Sequence, residues 1–151
     1  MTNITLMTKD DVDRLCLVVM KGGDRREISL LALLVAGVRM KDALNLRLKD
    51  IQLDERQFSL KGERVIGLHI LPGFQQSLSE YLQSRMQVDV PDSFIFRSRG
   101  HINLPMKSST GCALFRSWLL AAGLDLSIKV HALRVYGLMA TRERESRLSA
   151  S

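Results

Sequence analysis

Apolar residues recur at helical spacing through the first part of the chain. Thr8-Lys9-Asp10-Asp11 resembles a capping box, with a hydroxyl at the cap and a carboxylate three positions on, and it predicts a helix from about Lys9 to Met20. After a glycine pair and a new cap, the segment Ile28 to Ala36 is apolar on nearly every face. This pattern predicts a buried, central helix, followed by a short amphipathic turn from Met40 to Leu46.

The pattern changes between Asp50 and Leu71, where short apolar runs alternate with charged turns. The turns are Asp54-Glu55-Arg56 and Lys61-Gly62-Glu63, and each is flanked by β-branched, leucine or phenylalanine residues. Runs of this length, broken by charged turns, are typical of strands that pair as hairpins. The segment predicts a small antiparallel sheet of two or three strands.

Helical spacing returns in the second half of the chain. Pro72 opens a third long helix, and a short extended piece, Phe94-Ile95-Phe96, separates it from a helix over Lys107 to Ala122 that ends at Gly123. A last helix is predicted from Val130 to about Glu143, with a frayed polar tail beyond it. The predicted fold class is therefore mainly α with a small antiparallel β-sheet, an α+β fold.

Size and charge limit what such a fold can be. The chain has 151 residues, of which 46% are hydrophobic and 25% charged, which suffices for one ordinary core, so a single domain over residues 1–151 is expected. Lys and Arg number 22 against 16 Asp and Glu, giving a formal charge of +6. An excess of this size favours a polyanionic partner such as nucleic acid, although charge alone does not separate such proteins from other basic domains.

The cysteines and the N-terminal sequence indicate the cellular compartment of the protein. Cys16 and Cys112 each lie within an apolar run, without the spacing of a metal pair or a disulfide framework, so both are predicted to be buried thiols. The sequence MTNITLMTKDD has no secretory pattern, and no apolar run approaches a membrane span. We expect a cytoplasmic protein without a membrane partner, a metal or a cofactor.

A few cationic residues are candidates for chemistry. His131 and Arg134 are three residues apart, so on a helix both project from one face, an arrangement that suits an anionic oxygen. Arg39 follows the apolar central segment, where a charge needs a partner or a site, and Asp42 is the local candidate for an ion pair. Lys61 lies at a predicted hairpin tip, from which a flexible ammonium can reach into a groove.

Each of these residues also has a structural interpretation. Arg39 can pair with Asp42 across one helical turn and do nothing more. His131 and Arg134 can be ordinary residues at the start of a helix, and hairpin tips are rich in solvated lysines such as Lys61. Residue types alone therefore leave function and structure as open alternatives at all four positions.

The order of these pieces resembles that of the tyrosine recombinases, the phage integrase family. The stretch from Ala36 to Ile51 looks like the family's first arginine motif, in which an acidic residue three positions after the arginine is typical. A hairpin carrying Lys61 follows, and His131-Ala132-Leu133-Arg134 is similar to the histidine and second-arginine motif. The resemblance covers roughly Thr8 to Arg142, and the pieces come in the family's order and approximate spacing.

The resemblance implies a DNA strand-transfer site on double-stranded DNA. In it, Arg39 and Arg134 would clamp non-bridging phosphate oxygens, Lys61 would be the general acid near the leaving oxygen, and His131 would assist proton transfer. The same four residues would bind the DNA phosphate. Guanidinium groups match phosphate geometry, while lysine is better suited to moving a proton.

The sequence also departs from the family's pattern. We expect that the chain ends before the position of the tyrosine that attacks phosphorus, and that it lacks the DNA-gripping domain that usually precedes the catalytic domain. Tyr81 belongs to an apolar helical stripe, and Tyr136 lies two positions after Arg134, so it is predicted to face away from the arginine. Val135 and Gly137 stand where the family usually has a polar or aromatic residue and a bulky one, which suggests relaxed active-site demands.

Three functional hypotheses follow. The first is an accessory or regulatory DNA-binding protein of a mobile genetic element, such as a plasmid or phage. It would derive from a tyrosine recombinase that acts in DNA recombination and integration, and it would not be catalytic alone. The second is part of an active site-specific recombinase whose tyrosine is missing from this chain or is supplied in trans by a second copy or a recombinase partner. The third is a protein-interaction module without DNA binding, in which an exposed apolar groove receives a partner.

Overall fold

The helices of the protein lie close to where the apolar periodicity predicts them. The computed structural model describes residues 6–53, 57–60, 64–67, 72–100 and 103–149. The helices in these ranges are α1 (Lys9–Gly22), α2 (Arg25–Val35), α3 (Met40–Leu44), α4 (Pro72–Val88), α5 (Ser108–Ala122) and α6 (Val130–Ser149). The prediction of a mainly helical fold is confirmed. The predicted end of the last helix near Glu143 was wrong, because α6 continues to Ser149.

Three short strands follow α3 and a 3-10 turn at Leu48–Asp50. They are β1 (Ile51–Leu53), β2 (Gln57–Leu60) and β3 (Arg64–Gly67), paired antiparallel in the order β1-β2-β3. Ile51 lies opposite Leu60 in the first pair, and Phe58 lies opposite Ile66 in the second. Lys61 falls outside the described residues, so its predicted role at a hairpin tip stays a prediction.

The first two helices begin with the caps that their sequences predict. The backbone N–H of Asp11 donates to Oγ1 of Thr8 at 3.1 Å, and the N–H of Thr8 donates to Oδ2 of Asp11 at 3.1 Å. Asp24 and Glu27 form the equivalent pair at α2, with distances of 2.8 and 3.1 Å. These reciprocal bonds satisfy backbone donors that a helix start leaves free. Their positions fix where α1 and α2 begin.

α2 is the centre of the core. Every residue from Leu30 to Val38 is buried, and α2 contacts α1, α3, α4 and α6. The predicted buried, central helix is confirmed, since a helix that is apolar all round must be covered on all sides. Ser29, the polar residue buried within it, donates its hydroxyl to the carbonyl oxygen of Arg25 at 2.7 Å.

Within the described ranges, no helix combines the length and apolar character needed to cross a membrane.

A buried arginine ties the end of α4 to the segment that follows it. Arg85 is 7% exposed, and its guanidinium donates to Oδ2 of Asp89 at 2.6 Å, to the carbonyl oxygen of Phe94 at 2.6 Å and to that of Ile95. Asp89 also accepts from Nη1 of Arg97 at 3.1 Å. A buried charge is tolerated when it is paired and fully hydrogen-bonded, as it is here. The network thereby fixes residues 94–97 against α4.

This network predicts a specific dependence of stability on pH. The hydrogen bond from Arg85 lowers the pKa of Asp89 below its ordinary value of 3.8, and the charges of Arg85 and Arg97 act in the same direction. A carboxyl with a lowered folded-state pKa stabilises the fold above its unfolded pKa, and that stabilisation is lost as the pH falls through the folded value. Asp89→Asn should therefore lose about 1.5–3 kcal/mol of unfolding free energy at pH 7, as for a hydrogen bond to a charged group. Urea unfolding should show this difference shrinking below pH 3.8.

Asp10→Asn is the matched control for that measurement. Asp10 lies in an exposed i,i+4 pair with Arg14, and exposed pairs of this kind contribute little. The control should change stability slightly at either pH. A deficit of Asp89→Asn that stayed constant down to acid pH would contradict the assignment, because it would show that packing rather than charge is lost.

The two cysteines have different environments. Cys16 is buried in α1 as predicted, and burial, with a smaller contribution from the charge of Asp13, raises the pKa of its thiol to about 12. Cys112 is exposed, so the prediction that it is buried was wrong. The reason is its place on α5, whose buried stripe is formed by Gly111, Phe115, Trp118 and Leu119. Cys112 lies next to that stripe on the solvent side.

Candidate nucleic-acid interface

Arg39 lies at the junction between α2 and α3, where the chain leaves the core. Its backbone is extended, with φ −68° and ψ 145°, and it occupies the cap position of α3. Val38 and Met40 on either side are buried, whereas Arg39 itself is exposed. Two buried neighbours therefore anchor the backbone from which the guanidinium reaches into solvent.

No ion pair connects Arg39 to Asp42. Within the described part of the chain, Arg39 has no hydrogen bond or salt bridge, and Asp42 is exposed on the first turn of α3. The structure therefore does not support the alternative in which Arg39 forms a local ion pair with Asp42. A cation held at a fixed position without a counter-charge is available to an external anion.

His131 and Arg134 lie on the first turns of α6. Ala132 and Leu133 between them are buried, His131 is exposed, and Arg134 is half-buried. The Nε atom of Arg134 is buried and has no hydrogen-bond partner among the described residues. A buried donor without an acceptor costs about 1–3 kcal/mol, more when the group is charged. Because this nitrogen is closed to solvent, an external ligand can reach only the terminal nitrogens of the guanidinium.

The crossing of α2 and α6 brings the two arginines to the same region. A Cβ atom on Gly137 would lie 2.2 Å from the carbonyl oxygen of Val35 and 2.7 Å from the backbone nitrogen of Gly37. The two backbones are thus in direct contact. Arg134 is one turn before Gly137, about 5 Å along the helix axis, and Arg39 is two residues after Gly37, at most about 7 Å away. The backbones that carry the two arginines therefore lie near one contact point.

This contact gives a structural reason for Gly137. The sequence suggested that a glycine at this position reflects relaxed active-site demands, but any side chain there would collide with the backbone of α2. Gly37 adds to the constraint, because its φ of +101° is in the region that favours glycine. The two glycines set the separation of the helices that carry Arg39 and Arg134.

Neither tyrosine of the sequence faces this region. The hydroxyl of Tyr81 donates to the carbonyl oxygen of Ile95 at 2.8 Å, and its ring stacks on Phe96 with centroids 6.3 Å apart. Tyr136 is half-buried towards α1, where burial and then the nearby charge of Asp13 raise its pKa. Being two positions after Arg134, it projects about 200° round the helix from that arginine. Both tyrosines therefore have structural surroundings away from the candidate phosphate site.

The start of α5 adds a cation that the sequence did not single out. A Cβ on Gly111 would lie 2.7 Å from Sδ of Met40, so the first turn of α5 packs on α3 directly after Arg39. Lys107 caps this turn, is exposed and makes no side-chain cap bond. In the sequence, only its position at a helix start after a proline-containing loop could have marked Lys107 as a candidate. The structure adds that its helix, α5, packs on α3, the helix that Arg39 caps.

The described residues hold no group of three or more His, Cys, Asp or Glu side chains that could bind a metal ion. The candidate site is built from Arg39, His131 and Arg134. Lys61 lies outside the described residues. Guanidinium and imidazole groups in this arrangement can bind and polarise an oxyanion, and guanidinium groups suit phosphate in particular.

Comparison with known proteins identifies the fold and the family. A solved structure of XerA recombinase matches with a TM-score of 0.73 over 94% of this chain and 52% of that chain, at 23% identity. The chain thus spans about half the length of that recombinase, and the likeness shows a shared fold. No curated protein sequence is significantly similar to the chain. The sequence model of the phage integrase family matches residues 5–145. The chain therefore belongs to the phage integrase family, the tyrosine recombinases.

Proposed function

We propose that this chain is a DNA-binding protein derived from a tyrosine recombinase, which holds the phosphate backbone of duplex DNA with Arg39 and Arg134. The observation that carries the proposal is the half-buried guanidinium of Arg134, whose buried Nε has no partner among the described residues. Because Nε is closed to solvent, a phosphate oxygen binds the terminal Nη groups of Arg134, which have no hydrogen bond among the described residues. The net charge of +6 and the family to which the chain belongs favour DNA as the source of that phosphate.

The arrangement of charges supports the same assignment. Arg39 and Arg134 both carry a full positive charge, and the crossing at Gly137 holds their backbones close together. Two cations at one site repel each other unless an anion lies between them. A phosphate accepts bidentate hydrogen bonds from guanidinium groups, and part of this site is shielded from water. His131, one turn before Arg134, adds a donor on the same face.

The chemistry available to these residues is binding and polarisation of the phosphate. Guanidinium groups stabilise the charge that develops on phosphoryl oxygens, and His131 can assist proton transfer. The resemblance to the family implies that Lys61 would be the general acid. Covalent strand cleavage also needs a nucleophile, and neither Tyr81 nor Tyr136 faces the site.

We propose an accessory or regulatory role on the DNA of a mobile element, supported by the orientation of Tyr81 and Tyr136 away from the site. Sites occupied by such a protein are held without being cut. The alternative is that the chain is part of an active recombinase, in which a tyrosine from a further segment, another polypeptide or another copy completes the site. The two proposals share the phosphate contacts of Arg39 and Arg134 and differ in whether a covalent intermediate forms.

Titration of a fluorescent duplex with the purified protein tests the DNA-binding proposal. Binding measured by anisotropy should weaken steeply between about 50 and 200 mM salt, with the logarithm of the binding constant falling by about 0.9 for each phosphate contact per decade of salt. Absence of binding at low salt, or affinity that is independent of salt, would rule out a phosphate-backbone site.

A nicked suicide duplex separates the accessory role from the recombinase alternative. Such a substrate traps a covalent protein–DNA adduct, because the released end diffuses away before religation. We expect no adduct on a denaturing gel when the chain is incubated alone. An adduct at Tyr81 or Tyr136 would instead show that this chain cleaves DNA by itself.

A further inference from the structure

We draw no further inference here: the strongest candidate, the largely apolar cavity of about 430 Å³ between residues 6–9 and the face of α6 that carries Ala132, Val135 and Met139, carries none because nothing in the structure shows what covers it.

Discussion

Replacing Arg39 and Arg134 together with alanine should lower the affinity for duplex DNA roughly a hundredfold or more at low salt. Each hydrogen bond to a charged group contributes about 1.5–3 kcal/mol, and both arginines are assigned to phosphate oxygens. The salt slope should become shallower by about 1.8, since two phosphate contacts are lost. Anisotropy titrations at several salt concentrations measure both quantities on the same samples.

The same variant distinguishes a binding role from a structural one. Arg134 carries a buried Nε without a partner among the described residues, so its removal should leave the unfolding free energy of the DNA-free protein unchanged or raised. A clear loss of stability in urea would show that the guanidinium is a structural group. Arg14→Ala with Lys21→Ala removes two exposed cations from α1 and is the control for net charge. An equal loss of affinity in that control would indicate a non-specific attraction.

Gly137→Ala should be among the most destabilising single substitutions in the chain. The added Cβ would lie 2.2 Å from the carbonyl oxygen of Val35, and backbone atoms cannot move aside as the end of a side chain can. Overpacking of this kind costs about 1–3 kcal/mol and sometimes more. Urea unfolding measures the loss. DNA affinity should fall too, because α6 must shift and take Arg134 away from Arg39.

Gly22→Ala is the matched control for this substitution. Gly22 is the last residue of α1, and a Cβ there would have no atom within 4 Å among the described residues. Alanine also has the higher helix propensity, so the control should be neutral or slightly stabilising. Wild-type stability of Gly137→Ala would show that α6 does not rest on the backbone of α2.

The parts of the fold that the sequence predicted well are those decided by near neighbours. A capping box needs residues only three positions apart, which is why Thr8 with Asp11 located the start of α1. The left-handed cap at Gly123, with φ 69°, depends on the local chain in the same way. The burial of α2 followed from its composition, since no face of that segment is polar.

Contacts between residues that are far apart in the sequence could not be predicted from local sequence patterns. Nothing near Gly137 in the sequence shows that it touches Val35, and the glycine was first interpreted as a weakened active site. Cys112 was placed inside because its neighbours are apolar, whereas its side of α5 is decided by the helices packed against that stripe.

The candidate site was predicted only in part. Motif order pointed to Arg39, His131 and Arg134, and the contact of α6 with the end of α2 brings the backbones of Arg39 and Arg134 near each other. The absence of an Arg39–Asp42 ion pair and the unpartnered Nε of Arg134 within the described residues could come only from the structure. Lys61 remains a prediction, because it lies outside those residues.

The burial of α2 between early and late helices has a consequence for how the chain is made. α2 needs α1 on one side and α6 on another, and its contact partner Gly137 is synthesised about 100 residues after Val35. At about 5–20 residues per second, the ribosome takes roughly 5–20 s to produce that cover. During this interval the apolar segment from Leu30 to Val38 has no complete set of native neighbours. Nascent chains of this protein should therefore be substrates for chaperones that bind exposed apolar segments.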